Sequence, residues 1–210
     1  MLRFLINLAI IIFARICIIF FPYRISQSLH VVFNRFYTLW VSKTFKFISS
    51  DNYINYPIYI DGGENISIGK GCSFGKGLRL EAISSYLEHR YSPEILIGSN
   101  VDVSRDCHFG AIDKISIGDN VLIASKVFIS DHSHGRVNNN DLLLPPRYRE
   151  LYSKGPVIIE NNVWIGENVS ILSNVLIGAN SIIGANSVVT KSIPANCIAA
   201  GNPAKIIRKI

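Results

Sequence analysis

The sequence predicts an all-β fold, a parallel β-helix of triangular section, and three observations predict it. An aliphatic residue returns every six positions without a break at Ile159, Ile165, Ile171, Ile177, Ile183 and Val189. Four residues after most of these comes a second small or aliphatic one: Val163, Val169, Val175, Ser181, Ser187. Gly and Asn punctuate the units in the corners "GEN", "GAN" and "GDN". A helix repeats near 3.6 residues and a flat strand every two, so neither alone gives a period of six. A short strand followed by a sharp corner does. Three such sides close a coil of about 18 residues, and coils stack ~4.8 Å apart as strands do in any sheet. An all-β sandwich of irregular short strands offers no reason for unbroken hexads.

The elements follow in chain order. Residues 1–50 are a basic, hydrophobic helical segment. They carry Arg3, Arg15, Arg24, Arg35, Lys43 and Lys46 and no Asp or Glu, while the remaining residues hold 15 basic and 15 acidic groups. The whole net charge of +6 therefore sits in the N-terminal fifth. That pattern fits a local contact with an anionic surface and excludes a globally nucleic-acid-binding domain. "MLRFLINLAIIIFARICIIFFPYR" lacks a small-residue cleavage site, so it is not read as a secretory signal. As a transmembrane span it is flawed by Arg15, whose central position costs roughly 2.5–3.5 kcal/mol on insertion. Arg3, Asn7 and Arg15 share one arc of the helical wheel, and Pro22 breaks the helix before a second, weaker amphipathic stretch. The segment is read as a pair of helices in the membrane interface, with a packed appendage as the alternative.

Residues 51–194 form the β-helix domain. Its apolar series begins at Ile68, Phe74 and Leu80 and resumes at Ile97, Val103 and Phe109, then at Ile117, Ile123 and Ile129. Segments opening at 68, 97, 117, 159 and 177 give about five coils. Cys72, Cys107, Val101, Val121 and Val127 take the second inward position. The glycines that follow the first position (Gly69, Gly75, Gly98, Gly110, Gly118, Gly166, Gly178, Gly184) are read as supplying the positive φ of the corners. Asn is the next best residue there. The hexads are interrupted at 81–96 and, most of all, between Ile129 and Ile159, where 135–156 is an insert long enough to be functional. Residues 195–210 form a C-terminal tail with a short helix. The four cysteines have no CxxC or CxxH spacing and are read as reduced thiols.

The repeat, together with "IGDNVLIASKVFISDHSH", "NNVWIGENV" and the ending "IGANSVVTKSIPANCIAAGNPAKIIRKI", resembles the hexapeptide-repeat acyltransferases of the sugar and O-antigen O-acetyltransferase type. The resemblance covers roughly 60–210. It implies a left-handed β-helix, acetyl-CoA as co-substrate, a sugar acceptor and a homotrimer with sites in the grooves between subunits. Asn174 and Asn186 stand where the family has a corner Gly, and Gly135 where it often has Pro. Aligned without gaps, His134 falls on the family's catalytic histidine. The same matching puts Trp164 beside the thioester, Ala185, Thr190 and Lys191 along the pantetheine and nucleotide path, and Lys205 and Arg208 near the nucleotide phosphates.

The chemistry fits these residues. A hydroxyl is a poor nucleophile until its proton is being removed, and a neutral imidazole near pH 7 can remove it as the oxygen attacks the thioester carbonyl. His134 is the expected base, His132 the rival, and Asp131 a candidate to orient the imidazole. His108, His132 and His134 form a zinc-like set. Register, however, places His108 and His134 on different edges of the prism, so no metal is expected within one subunit. The expected function is acetyl-CoA-dependent O-acetylation of a sugar hydroxyl in a surface polysaccharide or its precursor, at the cytoplasmic face of the membrane. N-acetylation of an amino sugar and a non-catalytic scaffold are the alternatives.

Overall fold

The computed structural model of the chain describes every residue except Met1, Phe21 and Val137. Three parallel sheets wind around one apolar axis. The first face stacks Phe47–Ile48, Ile66–Ile68, Glu94–Ile97, Lys114–Ile117, Val157–Ile159 and Val175–Ile177. The second stacks Tyr53–Ile54, Ser73–Phe74, Asp102–Val103, Leu122–Ile123, Trp164–Ile165 and Ile182–Ile183, then Cys197–Gly201 and Ala204–Lys209. The third stacks Tyr59–Asp61, Arg79–Ala82, His108–Ala111, Phe128–Ser130, Ser170–Ile171 and Val188–Val189. Six coils therefore close, one more than the hexads suggest. The added coil is the first, opening at Phe47, whose sequence "FISSDNYINYPIYI" lacks the clean period.

The period is a packing rule. Every residue predicted to point inward is buried, from Ile68 and Cys72 to Ser187 and Val189. The side chains between them face out. The corner residues divide the work differently from the sequence reading. Positive φ belongs to the residue three after the inward one: Asn100, Asn120, Asn162, Asn168, Asn174, Asn180 and Asn186 all lie near +60°. The glycine directly after the inward residue has no positive φ and serves close approach instead. A Cβ at Gly69 would stand 2.5 Å from the carbonyl oxygen of Gly98, and one at Gly166 would stand 2.6 Å from the amide nitrogen of Ala185. The asparagines also bond one another along the corner between first and second faces. Asn100 donates to Asn120, Asn120 to Asn162, Asn162 to Asn180 and Asn180 to Asn196, at 3.0–3.3 Å. A short amide that tolerates the left-handed region thus also fills its own hydrogen-bonding capacity.

The two ends are closed by different means. Helix α1 (Leu2–Phe20) buries none of its apolar window against the rest of the chain. Helix α2 (Tyr23–Val41) packs Asn34, Tyr37, Thr38 and Val41 on the first coil. The packed-appendage alternative therefore holds for the last two turns of α2 and not for α1. At the other end the expected C-terminal helix is absent. Ala204–Lys209 is a strand, antiparallel to Cys197–Gly201. The open edge of the second face offers a row of unpaired N–H and C=O groups, and Ala204–Lys209 satisfies them as a strand, with Ile206 opposite Ala199 and Ile207 in a bulge.

Candidate active site

The corner from third to first face is interrupted twice, and both inserts rise from it. The first, 83–93, is a small hairpin pairing Ser85–Tyr86 with His89–Arg90. The second leaves after Ser130 and opens as a strand pair, His132–His134 against Leu151–Ser153, before α3 (Asn139–Leu142) and a single turn at Pro146–Tyr148. The inserts are tied together. The Tyr86 hydroxyl donates to the Arg147 carbonyl at 2.7 Å, and the Leu151 amide donates to the Tyr91 hydroxyl at 3.1 Å. Between them and the third face lies a cavity of about 330 Å³ whose walls include Glu81, Tyr86, His108, Gly110, His132 and His134.

The expected base and its expected orienter are not paired. Asp131 is wholly buried and accepts from the amides of Ile112 at 3.0 Å and Asp113 at 2.8 Å. Its remaining partner is Nδ1 of His132, at 3.0 Å. An ionised carboxylate can only accept, so the proton of this bond sits on Nδ1 of His132. His134 instead is exposed, its ring set edge-on to Tyr86 with centroids 5.3 Å apart. The reason lies in strand geometry. His132 and His134 are two apart on one strand, and only the earlier one is near enough to the corner for a side chain at 131 to reach back to it.

The register argument separating His108 from the other histidines also fails. His108 begins the third-face strand of its coil and lies on the same face as the exit of the loop. Gly110 separates the imidazoles: a Cβ there would stand 3.3 Å from Cε1 of His132 and 3.5 Å from Nε2 of His108. This glycine is a strand residue facing the cavity, not a corner. His108 is committed to a carboxylate of its own. Glu81 accepts from His108 Nε2 at 2.5 Å and from Arg79 Nη2 at 2.6 Å. Burial pushes the Glu81 pKa up, but the hydrogen bonds from Arg79 and His108 outweigh it and hold the group below its ordinary 4.5. Among the described residues, no three His, Cys, Asp or Glu side chains converge as metal ligands. Sequence reasoning missed Glu81 and Tyr86, although the break in the hexads at 81–96 marks the segment that carries them.

Residues 156–191 match the model of the bacterial transferase hexapeptide family (six repeats). The chain is 41% identical over 160 residues to the putative lipopolysaccharide biosynthesis O-acetyl transferase WbbJ of Escherichia coli (strain K12), covering 74% of this chain and 78% of that one. The chain belongs to the hexapeptide-repeat acyltransferases. It is an acetyltransferase with the left-handed β-helix of that family. It is also 33% identical over 175 residues to the galactoside O-acetyltransferase of the same organism, over 81% of this chain and 66% of that one. Among solved structures it is similar to the hexapeptide-repeat acetyltransferase VCA0836 of Vibrio cholerae O1 biovar eltor in complex with acetyl coenzyme A. There the identity is 25% and the TM-score 0.54, with 82% of this chain and 75% of that chain covered.

Within this family member, the residues expected at the cofactor fall into two groups. Trp164 is exposed on the second face. Register carries its row across the sheet from Trp164 to Ile182, Ile198 and Arg208. Three strand spacings, ~14 Å, separate the first from the last. Lys205 lies two pairs along the same final strand, opposite Ala200, and Ala185 is exposed at the neighbouring corner. Thr190 and Lys191 are exposed at the other corner of the third face, in line with the base of the histidine loop. The whole third face lies between Trp164 and His134, so one chain does not bring them together.

Proposed function

We propose that the protein is an acetyl-CoA-dependent O-acetyltransferase acting on a sugar hydroxyl of a cell-surface polysaccharide or its precursor. The observation that carries the reading is the cavity under the histidine loop. It joins a solvent-facing imidazole to the polar side chains of Arg79, Glu81, His108 and Ser130, in a chain whose relatives include a galactoside O-acetyltransferase and a lipopolysaccharide biosynthesis O-acetyl transferase by name. His134 Nε2 or Nδ1 takes the proton of the acceptor hydroxyl as that oxygen attacks the thioester carbonyl. The carbon–sulfur bond then breaks, and the proton passes to the leaving thiolate. No enzyme thiol intervenes: Cys107 faces the core, and burial pushes its pKa up to about 11.

The second-face row fits the coenzyme. Trp164 borders the thioester, while Lys205 and Arg208 supply cations for its phosphates. Ala185 lines its path from the same chain, and Thr190 and Lys191, at the corner below the histidine loop, line it from the chain that supplies His134. Since one chain holds Trp164 and His134 apart, the complete site takes its Trp164 from a neighbour in a homotrimer packed face to face. The basic, acid-free N-terminus holds this assembly at the cytoplasmic face of an anionic membrane.

Thiol release from acetyl-CoA, measured against a panel of sugars, sugar nucleotides and isolated polysaccharide, tests the reaction. Co-expression of His134→Ala with Trp164→Ala tests the sharing. Random mixing leaves about one quarter of shared sites with both residues intact, so activity returns to that level. A site contained in one chain gives no recovery.

A further inference from the structure

The first coil has no earlier coil to pair with, and α2 takes that place. Thr38 Oγ1 accepts the amide of Ile54 at 2.9 Å, and Asn34 Oδ1 accepts the amide of Tyr56 at 3.1 Å. Asn34, wholly buried, also donates to the Tyr53 hydroxyl at 3.2 Å and to Asn55 Oδ1 at 3.0 Å. An open strand edge is an aggregation hazard, and here helix side chains satisfy it. The inner face of α2 is thereby fixed to the end of the prism, and its opposite face points away from it.

That outer face is not a polar surface. Ile25, Leu29, Val32, Phe36, Leu39 and Trp40 are all exposed, Leu39 at 74% and Trp40 at 67%, and Phe33, half-exposed and edge-on to Tyr56 at 5.6 Å, borders them on the prism side. At about 100° per residue they share one arc of roughly 120° along the whole helix. Arg24 and Arg35 border the arc on one side, and Lys43 and Lys46 follow the helix. A second copy docked on this face would oppose cation to cation, since residues 1–50 hold no acid. An anionic lipid surface meets both demands at once: it accepts the apolar arc with its tryptophan at the headgroup level and neutralises the arginines.

Resting on the membrane reading above, we infer that the outer face of α2 lies in the interface of an anionic membrane, so that the prism stands on its N-terminal end. The histidine loop leaves the fourth coil, three spacings or ~14 Å beyond the first. With its outer half seated in the interface, α2 adds only ~5 Å above it. The acceptor sugar therefore sits about 20 Å from the lipid surface. This selects a lipid-linked oligosaccharide several sugars long over a lipid-linked monosaccharide.

The two tryptophans make the pose measurable. Trp40 lies in the outer arc, and Trp164 lies in the fifth coil, ~19 Å beyond the first. Full-length single-tryptophan proteins, W164F and W40F, are mixed with vesicles of equal phosphatidylglycerol and phosphatidylcholine carrying brominated acyl chains. The expected result is loss of at least half the Trp40 emission on binding, with Trp164 emission unchanged. Flotation with the vesicles without Trp40 quenching overturns the standing pose while keeping membrane attachment. Failure to float overturns the membrane reading itself. Trp40 shielded without lipid, with doubled mass by light scattering, assigns the face to a second copy and overturns the proposal. With vesicle-embedded acceptors, transfer to an oligosaccharide is expected to exceed transfer to the corresponding monosaccharide by at least tenfold; equal rates overturn the inferred height.

Discussion

His132 and His134 stand two residues apart on one strand, point to the same side of it, and meet different surroundings. His132 is mostly buried, and its Nδ1 is held by a carboxylate that is itself fixed by two backbone amides. His134 is exposed and braced only by the edge of Tyr86, which arrives from a separate insert. The first arrangement is a structural joint, because Asp131 ties the loop exit to the amides of the preceding coil. The second leaves an imidazole free to approach a substrate. An imidazole–carboxylate pair in a cavity is also the usual look of an oriented base, so replacing each histidine in turn separates the two roles.

The largest expected effect separates the two. His134→Ala lowers acetyl transfer by roughly 10²–10⁴-fold, the usual worth of a general base, and leaves the thermal midpoint near that of the parent. His132→Ala is expected to retain most activity per folded molecule but to cost about 1–3 kcal/mol of stability, since Asp131 loses one of its partners. Steady-state rates paired with thermal unfolding decide it. Loss of rate in His132→Ala with full rate in His134→Ala hands the catalytic role to His132.

Asp131 gives the next largest effect. Asp131→Ala strands two buried amides and the His132 N–H, and is expected to cost about 3 kcal/mol. Asp131→Asn keeps an acceptor for the amides and is expected to cost about half as much. Denaturant unfolding of the two variants checks this order. If both are neutral, the joint is not one, and Asp131 is better sought in catalysis.

The sequence made the coils legible because the inward positions are set by sterics at a fixed spacing. Ile159 to Val189 could be read residue by residue, and so could the loop that breaks them. The candidate site was legible only where one short segment carries it: the stretch 131–134 holds the two histidines that line the cavity and the carboxylate that bonds one of them. It did not reveal which histidine Asp131 holds, because that depends on how far along the loop stem the side chain can reach. Glu81, Tyr86 and Gly110 were out of reach for another reason. They meet the histidine loop only through stacking of coils 20 to 60 residues apart in sequence, and none sits in a motif. The C-terminal strand was misread because "KIIRK" suits a helix or a strand equally, and the unpaired edge beside it decides. The first coil was hidden because its strands are held by α2 as much as by their own period.

Across the cavity from the two histidines, Glu81 offers the smallest effect and a different readout, pH. Arg79 and His108 hydrogen-bond the ionised carboxylate, and this outweighs burial, so the folded-state pKa lies below the unfolded value near 4.5. A depressed carboxyl pKa adds stability that is fully present above the unfolded pKa and is lost as pH falls through the folded one. Glu81 therefore stabilises the neutral-pH protein, and that stabilisation drains away below about pH 4.5. Glu81→Gln removes the titration while keeping an acceptor oxygen for Arg79 or His108. The variant is expected to be less stable than the parent at pH 7, with the gap closing as pH falls below 4.5. Thermal midpoints of both proteins between pH 3 and 7 give the test. A gap that stays constant across that range would mean the pairing with Arg79 and His108 contributes nothing that depends on charge, and Glu81 would then be only a polar spacer in the cavity floor.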